Sequence, residues 1–256
     1  MDKSRFGRVQ AGAKPYLTPI LLLSLVFASF GQAESFYLHR PDTDVNIHGA
    51  YSVGLHISPN GGLLASLCVG FFDRFQIGLS YGGDNMVGSG TINWYTRPGI
   101  KVKVAVLDEE IYRNPLSLAV GFDSQDPPGS NLRSEDDVGS PGFYLVAGRL
   151  FYAGIVGFDL GIGAGYEIFD NDPHEDPLHF YAVSGLVIAD IFSMTPELTV
   201  YPQRDADDDE DVLGLGLGFK WDVNDWMCVE FLLGDMLTSM DEGWTRSIRF
   251  HVTQEF

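Results

Sequence analysis

One histidine–serine pair has the residue types of a nucleophilic site. HISPNG (His56 to Gly61) places His56 two residues before Ser58, and a serine hydroxyl needs a neighbouring base to take its proton before it can attack. Asn60-Gly61 is also a common hairpin turn, and Pro59 separates Ser58 from Asn60. We therefore predict a hairpin here and no catalytic residues, with catalysis kept as an alternative.

An acidic run has the residue types of a cation site. RDADDDEDV (Arg204 to Val212) begins with alternating aspartates, but an EF-hand loop also needs glycine at position six and glutamate at position twelve. Counted from Asp205, those positions hold Glu210 and Gly216. We predict no metal site and no cofactor; the alternative is loose divalent binding at Asp205, Asp207, Asp209 and Asp211.

Strand-like alternation continues from residue 45 to the last residue. In SIRFHVTQEF (Ser247 to Phe256), apolar Ile248, Phe250 and Val252 alternate with polar residues, which is the two-residue period of a strand with one apolar face. Many of the predicted segments are near the 9–11 residues that a tilted strand needs to cross a bilayer. The segments are 45–57, 62–72, 75–82, 100–107, 115–122, 143–151, 155–168, 179–189, 197–203, 212–221, 226–233 and 244–256.

The connections between these segments alternate in length. One set is mostly short: 72–74, 108–114, 151–154, 190–196 and 222–225. The other set is mostly long: 58–62, 83–99, 123–142, 169–178, 204–211 and 234–243. A soluble β-sandwich has no reason to follow this pattern, whereas outer-membrane barrels do. The sequence predicts an all-β fold, a transmembrane antiparallel up-and-down β-barrel of about 12 strands, with 10 or 14 as alternatives.

The first residues predict export. Lys3, Arg5, Arg8 and Lys14 precede the apolar run Ile20 to Phe30, and small residues follow it. That order is typical of a secretory signal peptide, and the apolar run is far shorter than the roughly 20 residues of a membrane-spanning helix. We expect a signal peptide at 1–33 and the barrel at 34–256.

Negative charge is concentrated in the predicted long loops 123–142, 169–178 and 204–211. Loss of the leader takes the formal net charge from −19 to about −22, which argues against nucleic acid as a partner. We predict a Gram-negative outer-membrane location, with acidic loops outside and both termini in the periplasm. Outer-membrane lipids and lipopolysaccharide are the expected surroundings.

The last strand resembles the C-terminal assembly signal of bacterial outer-membrane proteins, a terminal phenylalanine preceded by alternating apolar residues. Phe250, Val252 and Phe256 match that signal, while Gln254 departs from it. The resemblance implies the outer-membrane barrel assembly machinery as a partner.

Alternation also predicts which side chains face the lumen. Basic and acidic groups nearly balance there, which is more typical of a paired, partly blocked interior than of a selective pore. The predicted lumen charges are Lys101, Lys103, Arg149, Asp159, Glu167, Glu197, Lys220, Glu230 and Arg249. We also expect Cys68 and Cys228 to be free thiols, because they fall on strands that are not neighbours.

The outer connection 83–99 contains a short strand-like piece, TINWY. Two placements are open: a hairpin edge outside the membrane, which we favour, or a loop folded into the lumen.

Several phrases resemble the barrel domain of YjbH-like outer-membrane proteins: CVGFFDRFQIGLSYGG, RPGIKVKVAVLDEE, PLSLAVGFDSQ, ELTVYPQ and VEFLLGDML. The resemblance implies a non-enzymatic barrel with a structural or accessory role in the production or export of surface exopolysaccharide, and polysaccharide as a partner. A narrow porin-like channel for small solutes is the second hypothesis. An outer-membrane lipid-modifying enzyme is the third.

Overall fold

The computed structural model describes residues 41–59, 61–108, 114–125, 142–166, 178–201, 212–234, 236–237 and 244–256. The predicted signal peptide at 1–33 lies outside the described residues. No helix in the described part of the chain has the length and hydropathy that a bilayer crossing requires. Its strands are β1 (Ala50–Ile57), β2 (Leu63–Phe71), β3 (Phe75–Asp84), β4 (Asn93–Trp94), β5 (Gly99–Leu107), β6 (Ser117–Asp123), β7 (Gly142–Ala153), β8 (Val156–Tyr166), β9 (Leu178–Ile188), β10 (Phe192–Tyr201), β11 (Val212–Asn224), β12 (Met227–Gly234) and β13 (Thr245–Glu255).

The sheet closes on itself. Each long strand pairs antiparallel with its neighbours along the chain, with β3 next to β5, and β13 returns to pair with β1 from Ala50↔Glu255 to Ile57↔Ile248. Twelve strands form the ring, and the two-residue β4 pairs with the last residues of β3 through Gly83↔Trp94. The predicted twelve-stranded barrel is confirmed, and Asn93 and Trp94 of TINWY form a short edge beside β3.

The two faces of the wall have opposite chemistry, as β10 shows. Phe192, Met194 and Leu198 are exposed on the outer face, while the inner face buries Ser193, Thr195, Glu197 and Thr199. A soluble protein buries apolar side chains and exposes polar ones. The reverse arrangement is stable where hydrocarbon surrounds the outer face and every strand edge is paired. The ring is therefore a membrane-spanning barrel.

Two strands begin five residues away from their predicted starts. The first strand begins at Ala50 instead of residue 45, because Gly49 has a φ of +84° and turns the chain at the rim. Strand β10, the ninth of the ring, begins at Phe192 instead of residue 197. Pro196, taken as part of a turn, lies within β10 opposite Leu217. The register with β9 runs from Met194↔Leu186 to Glu197↔Val183 and omits Thr195 and Pro196, consistent with the missing amide N–H of proline.

The short connections gather at one end of the barrel, which we call the short-turn end: 72–74, 154–155, 189–191 and 225–226. Phe72, Asp73, Ala189 and Asp190 take left-handed backbone conformations in two of these turns. The long connections lie at the opposite end, and most of their residues are outside the described part of the chain. The start of β1 and the end of β13 are both at the short-turn end.

Ile162, in the middle of β8 and 66% exposed, tests the membrane face. We expect Ile162→Lys to lower the free energy of unfolding in lipid vesicles by about 2–4 kcal/mol, because an ammonium near the bilayer midplane loses its hydration. Urea titration followed by tryptophan fluorescence measures the change. The control Ile162→Leu keeps the apolar volume and should cost less than about 1.5 kcal/mol. Equal effects of the two substitutions would contradict a lipid-facing position.

Candidate functional site

One cluster of lumen charges lies on β5 and the strands beside it. The register places Lys101 beside Asp123 on β6, and their side chains form an ion pair of 2.7 Å. Lys103 lies two residues further along the same face, between Gln76 on β3 and Gly121 on β6. Asp123, which the sequence assigned to a loop, is thus a wall residue that pairs with a predicted lumen lysine.

Lys103 receives its partners from residues that precede the barrel. Its ammonium forms an ion pair with the Asp42 carboxylate and donates to the backbone carbonyl of Asp44 at 2.8 Å. The Lys103 side chain is only 12% exposed, and a buried ammonium is stable only when it is paired. The chain before β1 therefore supplies the anion for a lumen lysine.

Residues 41–46, which we call the lumen segment, also contact other strands. The Tyr181 hydroxyl on β9 donates to the carbonyl of Pro41 at 2.9 Å. The Asn46 amide N–H donates to the Gln76 side chain at 2.8 Å, and the Asn46 side chain donates to Ser52 Oγ at 2.9 Å. Between these ends Thr43 is buried. The lumen segment thus runs inside the barrel from the β1–β3 wall to β9.

Glycines make room for the aromatic side chains near the lumen segment. A Cβ on Gly163 of β8 would lie 2.1 Å from Tyr181 Cζ, and a Cβ on Gly121 of β6 would lie 2.3 Å from Tyr144 Cζ. Any larger residue would push these rings off the wall. Tyr144 and Tyr181 belong to one buried apolar cluster with Ala119, Val146 and Val183. This part of the lumen wall is therefore a close-packed aromatic surface.

A second charged cluster lies on β11, β12 and β13. Cross-strand register places Lys220, Glu230 and Arg249 in one row. Arg249 Nη1 is 3.0 Å from Glu230 Oε2, and Lys220 Nζ is 3.3 Å from Asp222 Oδ1 on its own strand. In the ring of twelve strands β11 lies opposite β5, and β12 and β13 follow beside it. The lumen thus carries paired charges on two facing walls.

The other predicted lumen charges are more scattered. Asp159 on β8 and Glu197 on β10 are buried on the inner face. Glu167 lies outside the described residues.

The placement of Arg149 is corrected. Arg149 pairs in register with Leu160, an exposed residue, and so lies on the outer face of β7, with its guanidinium 4.7 Å from the Phe151 ring centroid. Both faces of this strand are largely apolar, so alternation did not identify the inner one. The position is close to the short-turn end, where a long cationic side chain can reach the polar boundary of the membrane.

Sequence reasoning missed the lumen segment and the two tyrosines beside it. Asp42 and Asp44 belong to PDTD, which lies before the first predicted strand. A signal was present: Lys101 and Lys103 point into the lumen from one strand, while the neighbouring β6 offers one carboxylate, Asp123. The second carboxylate had to come from elsewhere.

The HISPNG motif covers the end of β1 and the connection between β1 and β2. The Ser58 amide N–H donates to the Gly62 carbonyl at 2.9 Å, and the Gly61 amide N–H donates to the Ser58 carbonyl, as in a hairpin turn. His48 stacks on Phe72 at the short-turn end. No group of three potential metal ligands occurs within the described ranges, and Asp205, Asp207, Asp209 and Asp211 lie outside them.

Cys68 on β2 and Cys228 on β12 are both buried free thiols. Strands β1 and β13 lie between them in the ring.

The C-terminal assembly residues form part of the seam between β13 and β1. Phe250 faces outward opposite Leu55, and Val252 lies opposite Val53. Phe256 is exposed and its ring lies 6.3 Å from that of Tyr51.

No family model and no curated protein matches the chain. It is similar in structure to the KdgM porin, at 8% identity over 81% of this chain and 99% of that one, with a TM-score of 0.47. It is also similar to an outer-membrane channel from Pseudomonas putida F1 (14% identity, 85% and 100% coverage, TM-score 0.49) and to the NanC porin (11% identity, 80% and 99% coverage, TM-score 0.47). Such low values do not extend any property of these channels to this chain. On the ground of its closed ring and apolar outer surface, the protein is an integral outer-membrane β-barrel.

Arg249 on the inner face and Arg149 on the outer face give a matched test. We expect Arg249→Ala to lower the free energy of unfolding by about 3 kcal/mol, because it removes the guanidinium 3.0 Å from the buried Glu230 carboxylate. Arg149→Ala should cost only about 0.5–1 kcal/mol, the contribution of an exposed cation–π contact. Urea unfolding in vesicles measures both. An equal loss in the two variants would contradict the outward placement of Arg149.

Proposed function

We propose that this protein is an accessory barrel of the outer membrane whose lumen is closed at rest by the lumen segment. The observation that carries the proposal is the position of Pro41 and Asp42. These consecutive residues contact Tyr181 on β9 and Lys103 on β5, and β6, β7 and β8 lie between those two strands in the ring.

The contacts of the lumen segment support a closed state. Adjacent residues contact β5 and β9, so the chain crosses the part of the lumen that lies between these two strands. The segment is held there by an ion pair and by hydrogen bonds at both of its ends. The ion pairs of the facing walls leave their charges satisfied without a solute. These features suit a barrel that does not conduct freely.

An accessory role fits this closed state and the YjbH-like phrases, which imply a link to surface exopolysaccharide production or export. We propose the orientation that the charge pattern predicts, with the short-turn end and both termini in the periplasm and the acidic loops outside. The partners of this proposal are outer-membrane lipids and lipopolysaccharide, the barrel assembly machinery and a polysaccharide. No enzymatic step is part of it.

A narrow channel for small solutes is the second candidate. The observation in its favour is that the lumen segment is joined to the walls by polar contacts that a solute or a change of state can replace. If the lumen segment moves aside, the barrel exposes a narrow, polar lumen with paired charges on facing walls.

Conductance in planar bilayers tests the closed state. We expect the wild-type barrel to give almost no channel steps, and the double variant Asp42→Asn, Tyr181→Phe to give frequent steps. The two substitutions remove the ion pair to Lys103 and the hydrogen bond to Pro41 without changing the size of either side chain.

Lys220→Gln serves as the matched control, because its ion pair with Asp222 lies within one wall and does not hold the lumen segment. It should leave the barrel silent. Steady, large steps from the wild type would overturn the proposal and favour the channel. A silent double variant would show that these contacts do not keep the lumen closed.

A further inference from the structure

We infer that the lumen wall around Lys103 is a binding site for the carboxylate of a small sugar acid, and that Asp42 occupies this site as an internal stand-in for that ligand. The inference rests on the proposed closed state, because the ligand would compete with the lumen segment for Lys103.

The lumen cations differ in where their ion-pair partners lie. Lys101 pairs with Asp123, Lys220 with Asp222 and Arg249 with Glu230, and all six residues belong to the barrel wall. For Lys103 the anion and the neighbouring carbonyl acceptor both come from the lumen segment, at Asp42 and Asp44. Among the described residues, the wall thus supplies a carboxylate partner for each of these three cations, whereas the ion-pair partner of Lys103 lies outside the wall.

The Lys103 ammonium would be costly to leave without a partner inside the barrel. The Lys103 side chain is largely buried, so departure of the lumen segment leaves an ammonium without its ion-pair partner inside the barrel. Such a group is destabilising until another anion neutralises it. A carboxylate reproduces what Asp42 supplies at the same nitrogen, so it is the group that can exchange with the segment.

The groups around Lys103 indicate what the rest of the ligand would contact. Near Lys103 the lumen segment uses one hydroxyl donor, Tyr181, and one amide acceptor, Gln76. The Tyr181 and Tyr144 rings lie on glycines of the wall and form an apolar surface there. Hydroxyl groups suit the polar pair, and the apolar face of a sugar ring suits the aromatic surface, as in binding sites that combine a few polar groups with aromatic walls. A hexuronate carries all three features.

Calorimetric titration of the purified full chain in detergent tests the site, with glucuronate as the probe and glucose and inorganic phosphate as comparisons. We expect Asp42→Asn to bind glucuronate at least tenfold more tightly than the wild type, because a segment that keeps the lumen closed leaves the site free no more than about one-tenth of the time. Lys103→Gln should abolish binding, and Lys220→Gln on the opposite wall should leave it unchanged. Glucose should not bind measurably, because it lacks the carboxylate.

Several outcomes would overturn the site. These are equal affinities of wild type and Asp42→Asn, binding retained by Lys103→Gln, binding lost by Lys220→Gln, and glucose or phosphate binding as tightly as glucuronate. Each variant is first checked for a folded barrel by electrophoresis with and without boiling. A folded barrel migrates more slowly after boiling, and a variant that shows no such shift is not folded. Should Asp42→Asn not fold, glucuronate added to wild-type bilayers takes its place: channel steps that appear with glucuronate and not with glucose support the site, and silence with both overturns it.

The failures of the two proposals are distinguishable. A wild type that is silent, opens in the Asp42→Asn, Tyr181→Phe variant and binds no glucuronate keeps the closed state and removes the ligand site. A wild type that conducts steadily removes the closed state whatever it binds.

Discussion

Hydrogen bonding of the backbone in hydrocarbon is the constraint on which this structure depends. Lipid offers no partner to a free amide or carbonyl, so the last strand must return to the first, and β13 does so along the full length of β1. Once the sheet is closed, its two faces meet different surroundings. The outer face is apolar because it lies in lipid, and the inner face can hold Glu197, Lys220 and Glu230 because the ring shields them from it. Charges placed there must then find partners inside the ring.

Most of the fold follows from this constraint and could be predicted from the sequence. Alternation located all twelve ring strands, because an apolar outer face and a polar inner face repeat with the period of the backbone. It failed where the two faces are alike. In β7 the inner Tyr144 and Val146 are as apolar as the outer Phe143 and Leu145, so Arg149 was assigned to the wrong side. In β10 the signal of Pro196 for a turn was stronger than the alternation around it.

The candidate site could be predicted only in part. The wall lysines follow from strand periodicity, but their partners depend on contacts between residues far apart in the chain, such as Asp42 with Lys103. Nothing in a local pattern states that the residues before β1 fold back into the ring. The glycines of β8 alternate with apolar residues, but the role of Gly163 depends on β9, because Tyr181 lies over Gly163 only when the two strands pair in this register. Tertiary contacts of this kind have no period to detect.

Charge balance links the fold to the proposed role of the lumen segment. Strand β5 sends two lysines into the lumen, and β6 returns one carboxylate, Asp123, which pairs with Lys101. A carboxylate at a cross-strand position beside Lys103 would have given this second lysine a permanent partner on the wall. Gln76 and Gly121 occupy those two positions instead. Neutralising Lys103 with Asp42 instead makes the stability of the interior depend on a segment that is not a strand of the ring. Because that segment has no ladder of backbone hydrogen bonds to hold it, an ion pair that stabilises the barrel is also one that can be exchanged.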